Sequence, residues 1–140
     1  RRVATRRSRA ASRRAFGAVD ESNDYADKVL DLVSTNEALV PSLWPLEVAN
    51  VLVVGERRKR LTKADSLRFI ELLGAQPIVV DAETPEKALG EILSLGRAHG
   101  LSSYDASYLE LAMRHGIPLA TSDQSLRKAA AKAGVRLLKV

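Results

Sequence analysis

Three acids stand where a carboxylate can do chemistry, and they come from three separate segments: Glu47, Asp105 and Asp123. Glu47 lies in the most apolar helical stretch of the chain, among Leu43, Leu46, Val48 and Val51. A carboxylate in such surroundings is paired, hydrogen-bonded or metal-bound if it is buried, and solvated if the helix turns it outward. Asn50, three positions on, shares its helical face. Asp105 sits near a helix start, where it either complements the helix dipole or serves a site. Asp123 follows a short apolar strand and either caps the next helix or adds a third carboxylate, with the hydroxyls of Thr121 and Ser122 beside it. Two carboxylates about 5 Å apart repel by roughly 3 kcal/mol at an effective dielectric near 20. Three gathered at one edge therefore need a cation or a proton. Oxygen ligands of this kind select Mg2+ or Mn2+ over Zn2+, and such an ion suits phosphodiester hydrolysis.

The elements that must position these acids follow from periodicity and punctuation. Tyr25, Val29, Leu32 and Val33 recur at helical spacing and predict a helix over about 21–34. Ala38-Leu39-Val40, closed by Pro41, predicts a buried strand. Ser42 is expected to cap the next helix, with Pro45 in its first turn. Thr62-Lys63-Ala64-Asp65 reads as a capping pattern opening a helix lined by Leu67, Ile70, Leu72 and Leu73 and stopped by Gly74. Strands are expected at 77–80, 117–121 and 135–140, and helices at 84–99, 103–115 and 124–133. The connections are too long for hairpins, so alternating helices and short apolar strands predict an α/β fold with a parallel sheet. In such sheets ligands gather outside the carboxyl ends of the strands, which is where Asp123 should fall.

Composition narrows the classes. The 140 residues suit one domain of ordinary size, and 46% of them are hydrophobic. No apolar run approaches the roughly 20 residues that cross a bilayer, and the first residues hold no apolar signal core. A cytoplasmic protein with no membrane partner is the expectation. The absence of cysteine excludes disulfides, Cys-zinc sites and thiol nucleophiles. The net charge of +5 is local in origin. Seven of the 22 basic residues are arginines within residues 1–19, a stretch with no acid; the other 15 face all 17 acids, a net of −2. Residues 1–18 are thus an atypical Arg-rich stretch, set apart from a near-neutral domain over 19–140. Nucleic-acid binding would need a patch such as Arg57-Arg58-Lys59-Arg60, which either complements a helix end or contacts RNA phosphates.

Local sequence adds to the spacing. The segment Pro41-Ser42-Leu43-Trp44-Pro45-Leu46-Glu47-Val48-Ala49-Asn50 resembles the stretch bearing the second acid of VapC-like PIN domains. Leu101-Ser102-Ser103-Tyr104-Asp105-Ala106-Ser107-Tyr108 resembles the segment with the third, and Ile117-Pro118-Leu119-Ala120-Thr121-Ser122-Asp123 resembles the last. The resemblance covers about residues 20–140, with three motifs in the right order. It implies a three-layer α/β/α PIN-like fold around a central parallel sheet. It implies a Mg2+-dependent endoribonuclease, with Mn2+ as the other candidate ion, that hydrolyses RNA phosphodiester bonds. It also implies a toxin held in check by a cognate VapB-type antitoxin, with homodimerisation. Glu47, Asp105 and Asp123 would be the catalytic metal ligands, assisted by Asn50, Thr121 and Ser122.

The departure is at the start. The family opens with a strand ending in an aspartate, and the matching place here holds Thr5-Arg6-Arg7-Ser8-Arg9-Ala10. A shifted reading frame, a degenerate end, or substitution by Asp20 or Asp24 would each account for it. The second candidate function follows: a catalytically weakened PIN-like module that binds protein and lacks the first acidic ligand. A third, a phospho-receiver with Asp81 as acceptor, would need a lysine after a later strand, and none stands there before Lys139.

Overall fold

The structure is a computed structural model, and it describes residues 37–121 and 123–138. Residues 1–18, the helix expected over 21–34, Asp20, Asp24, Ser122 and the last two residues of the expected final strand lie outside the described residues.

Strand β1, Ala38–Val40, is buried throughout. A short run of apolar residues covered on both faces is the mark of an interior parallel strand. It pairs in parallel with β2, Ile78–Val80, in the register Ala38 to Ile78 and Val40 to Val80. A second parallel pair joins β3, Leu119–Ala120, to β4, Leu137–Leu138. Among the described residues the strands thus form two parallel pairs. Each pair is closed by a helical crossover, as parallel pairing requires.

The first crossover holds α1, Trp44–Arg57, and α2, Lys63–Gly74. Helix α1 buries one stripe, Trp44, Val48, Leu52 and Gly55. Its start corrects the expectation for Ser42. Leu43 is the N-cap, in helical backbone and with no side-chain cap bond, and Pro45 stands in the first turn. Ser42 N–H instead donates to Thr84 Oγ1 at 3.1 Å, so this residue ties α1 to the segment after β2. Helix α2 opens as expected: Thr62 Oγ1 accepts from Asp65 N–H at 3.0 Å, and Asp65 Oδ2 accepts from Thr62 N–H at 2.9 Å. Its lining differs from the expectation. Phe69 and Leu73 pack on the core, while Leu67 is 62% exposed and Ile70 and Leu72 also face outward. Gly74 is the last helical residue, and Ala75 is the C-cap.

After β2 the chain winds through α3, Thr84–Lys87, a π-helical segment, Ala88–Ile92, and α4, Leu93–His99. Gly100 ends this run at φ 62°, a left-handed conformation that glycine adopts without a Cβ clash. Helix α5, Ser103–His115, is central: Ala106 to Ala112 are all buried, so it is covered on every side. It packs against α4, the π-helical segment, β3 and α6, Gln124–Lys132. Ser102 Oγ caps α5 by accepting from Asp105 N–H at 3.2 Å. The core joins Val40, Trp44, Tyr108, Leu109, Leu119 and Leu126. No helix among the described residues is long and apolar enough to cross a membrane.

Candidate functional site

Glu47 lies one turn into α1 and is half-buried. Its Oε1 accepts a hydrogen bond from the Tyr108 hydroxyl of α5, 61 residues away in the chain. Tyr108 is fully buried, and it stands three residues after Asp105 on the same helix. Residues three apart share a helical face. Helix packing therefore brings Glu47 to the face of α5 that begins with Asp105. Asp105 is half-buried in the first turn of that helix, where its backbone N–H meets the Ser102 cap. Asn50 follows Glu47 by one turn and is exposed.

Asp123 is the N-cap of α6, immediately beyond β3. Its Oδ1 accepts from Leu126 N–H at 2.9 Å, and its own N–H donates to Thr121 Oγ1 at 3.1 Å. Thr121 is buried, and its carbonyl accepts from Arg127 Nη1 at 3.0 Å. Both residues thus serve the strand-to-helix turn locally. Ser122 lies outside the described residues.

The three candidate acids are carboxylates on elements packed about α5, and hard oxygen donors of this type fit a divalent cation such as Mg2+ or Mn2+. Their spacing is another matter. Among the described residues, no three of His, Cys, Asp and Glu lie close enough to hold a metal ion. The donor chemistry fits, and no coordination geometry is assigned to it.

Two large apolar side chains next to these acids in sequence are exposed. Leu46, before Glu47, is 74% exposed, and Tyr104, before Asp105, is 60% exposed. The basic run Arg57, Arg58, Lys59 and Arg60 is exposed at the far end of α1. Ten residues of helix separate Glu47 from Arg57, about 15 Å along the axis. The run turns through Lys59, whose φ of 57° places a lysine in the left-handed region.

One charged cluster has no counterpart in the sequence expectations. Arg114, at the end of α5, donates Nη2 to Asp81 Oδ2 at 2.7 Å and Nη1 to Asp81 Oδ1 at 3.1 Å. It also donates Nε to Glu110 Oε1 at 2.8 Å and Nη1 to Glu83 Oε2 at 2.9 Å. Thr84 Oγ1 adds a bond to Asp81 Oδ2 at 2.9 Å. Burial pushes the Asp81 carboxyl up, but hydrogen bonds from Arg114 and Thr84 outweigh it, and the net shift is downward. Hydrogen bonds to Asp81 and Glu110 raise the Arg114 guanidinium, so it stays charged at every accessible pH. Both Asp81 oxygens are bound by Arg114, an arrangement that holds α5 against the end of β2 and argues against a phosphoacceptor role. The sequence signal for Tyr108 was its place one turn after Asp105 in the helix expected over 103–115; for Arg114 there was none.

Comparison with known proteins gives one family. The family described as PIN domain matches residues 15–132. No curated protein matches the chain. The fold of that family is a three-layer α/β/α arrangement, and the parallel strands and packed helices described above are of that class. Its members are typically metal-dependent nucleases.

Proposed function

This chain belongs to the PIN domain family, and on that premise we propose that it is a Mg2+-dependent endoribonuclease, with Mn2+ as an alternative ion, acting as the toxin of a VapBC-type toxin–antitoxin pair. Glu47, Asp105 and Asp123 are the proposed metal ligands. The observation that carries the reading is the Tyr108–Glu47 bond, which joins the second acid to the face of α5 where the third one lies. A divalent cation held by these carboxylates would polarise a phosphoryl oxygen. The chain itself orients the acids. Ser102 caps the turn that holds Asp105, and the Thr121 hydroxyl fixes the backbone of Asp123.

RNA is the proposed substrate, and Arg57, Arg58, Lys59 and Arg60 are proposed to meet its phosphates. Such contacts add affinity and register without reading sequence. The exposed Leu46 and Tyr104 are apolar surface that a macromolecular partner, the cognate antitoxin included, could cover. A homodimer of this domain, spanning 19–140, completes the proposal.

The test is cleavage of RNA by the full chain in Mg2+. Asp105→Asn is expected to abolish cleavage and weaken Mg2+ binding while the fold stays intact. Full activity in that variant removes the metal-site claim.

A second reading has its own support: no three acids among the described residues form a closed set. On it the chain is a catalytically weakened PIN-like module that works by binding protein. It predicts no RNA cleavage in Mg2+ or Mn2+ together with tight binding to an antitoxin. Resequencing the codons for residues 1–18 separates a lost first aspartate from a misread one.

A further inference from the structure

Arg127 stands in α6 one turn after Asp123, and its head group folds back to the carboxyl end of β3. There Nη1 donates to the Thr121 carbonyl at 3.0 Å. Strand β3 pairs in parallel with β4, and ligands of parallel sheets gather outside that end of the strands. The residue is half-buried, so part of the side chain stays open to water. Bracing a carbonyl takes a single N–H, which an uncharged side chain can supply. A guanidinium carries further donors in a planar fork and a charge that persists at every accessible pH. Arg114 commits its fork to Asp81, Glu110 and Glu83. Among the described residues no acid pairs with Arg127, and the Thr121 carbonyl is its one side-chain partner.

We propose that Arg127 binds a phosphate of the RNA at the carboxyl end of β3, with the Thr121 carbonyl holding the guanidinium in place. The inference rests on the RNA reading given above and names a phosphate-binding residue that acts without a metal ion. A phosphate that approaches the Asp123 carboxylate meets a like charge, and Arg127 supplies a cation tied to the turn that carries Asp123. The fork can donate to two phosphate oxygens at once, which a lysine point charge does not. The bond to Thr121 restricts the side-chain rotamers before RNA arrives, so less freedom is lost on binding.

The experiment measures binding of a mixed-sequence, single-stranded RNA oligonucleotide to the full chain in EDTA, where binding is read apart from metal and from cleavage. Arg127→Met keeps most of the length and removes the charge and the donors. It is expected to bind the RNA about tenfold more weakly and to lower the slope of log K against log salt by about 0.7. Arg127→Lys should keep the wild-type slope, because the charge remains, and recover part of the affinity. Retained far-ultraviolet circular dichroism separates a lost contact from a lost fold. Wild-type affinity and slope in a folded Arg127→Met overturn the phosphate contact and leave Arg127 a brace for the turn, with the RNA reading still standing. Weaker binding with an unchanged slope also overturns it, since shape and not charge was lost. A wild-type chain that binds no RNA overturns the RNA reading and this inference with it. Should Arg127→Met not fold, the Arg127 Nε–H resonance of the unaltered chain, assigned by its loss in Arg127→Lys, supplies the second readout. It should move as the oligonucleotide is added, and a resonance that stays fixed at saturating RNA sinks the proposal.

Discussion

Arg114 and Asp81 form a two-point ion pair, with Nη2 at 2.7 Å from Oδ2 and Nη1 at 3.1 Å from Oδ1, across the junction of α5 and the end of β2. Both side chains are largely buried, at 17% and 6% exposure. Glu110, also buried, shares the guanidinium, whereas Glu83 meets it at the surface. The exposed contact adds little. The buried ones matter because removing the cation strands two carboxylates in the interior.

Arg114→Met keeps most of the side chain's length and removes its charge. It is expected to destabilise the fold by about 3 kcal/mol, the typical cost of leaving a buried charge without its partner. Urea unfolding monitored by Trp44 fluorescence measures it. A change below about 1 kcal/mol would mean that water reaches Asp81 and Glu110 and that the cluster does not hold α5 in place.

The same pair sets a pH dependence. The folded-state pKa of Asp81 lies below its ordinary value of 3.8. The group therefore binds fewer protons when folded than when unfolded. Its stabilising contribution is fully present above the ordinary value and is lost as pH falls through the depressed one. Asp81→Asn lacks this term. The stability gap between wild type and Asp81→Asn should be constant from about pH 5 to 8 and should close below about pH 3.8. A gap that widens on acidification would contradict the direction of the shift.

Local signals carried the boundaries of the elements, because caps and breakers act over three or four residues. Thr62 with Asp65 and Asp123 stand where the sequence placed a helix start, Gly100 and Gly116 directly follow the ends expected at 99 and 115, and Ser102 caps the helix expected from 103. What failed was anything set by contact across the chain. Ser42 has the right hydroxyl for a cap, yet its N–H is taken by Thr84, 42 residues on. The apolar residues of α2 lie on more than one face, and periodicity cannot say which face finds a cover. The π-helical turn of Ala88–Ile92 interrupts a pattern that reads as one helix. Of the site, the residue types were legible and their partners were not: nothing near Glu47 announces Tyr108, and nothing near Asp81 announces Arg114.

Lys59 offers a test that links stability to the proposed RNA contact. At φ 57° a lysine carries a left-handed penalty of about 1–2 kcal/mol that glycine does not. The turn needs this conformation, since Arg60 N–H and Leu61 N–H both donate to the Gly55 carbonyl, at 2.9 and 3.2 Å. Lys59→Gly should stabilise the fold by about 0.5–1 kcal/mol after the entropy of an added glycine is counted. If the basic run meets phosphates, the same change should weaken RNA binding and lower the slope of log K against log salt by about 1. A more stable protein with an unchanged salt slope would separate Lys59 from RNA.

Asp123 combines a cap with a proposed ligand, and two substitutions pull these apart. Asparagine is as good an N-cap as aspartate, because its side-chain oxygen can still accept from Leu126 N–H. Asp123→Asn should therefore keep its unfolding free energy within about 0.5 kcal/mol of wild type. Asp123→Ala loses the cap and should fall by about 1 kcal/mol. If Asp123 also binds the metal, both variants lose RNA cleavage to the same extent, because neither carries a carboxylate. If it only caps α6, Asp123→Asn stays fully active while Asp123→Ala falls only with its stability. Thermal unfolding and RNA cleavage measured on one preparation of each variant distinguish the two, and an active Asp123→Asn would reduce the proposed ligands to Glu47 and Asp105.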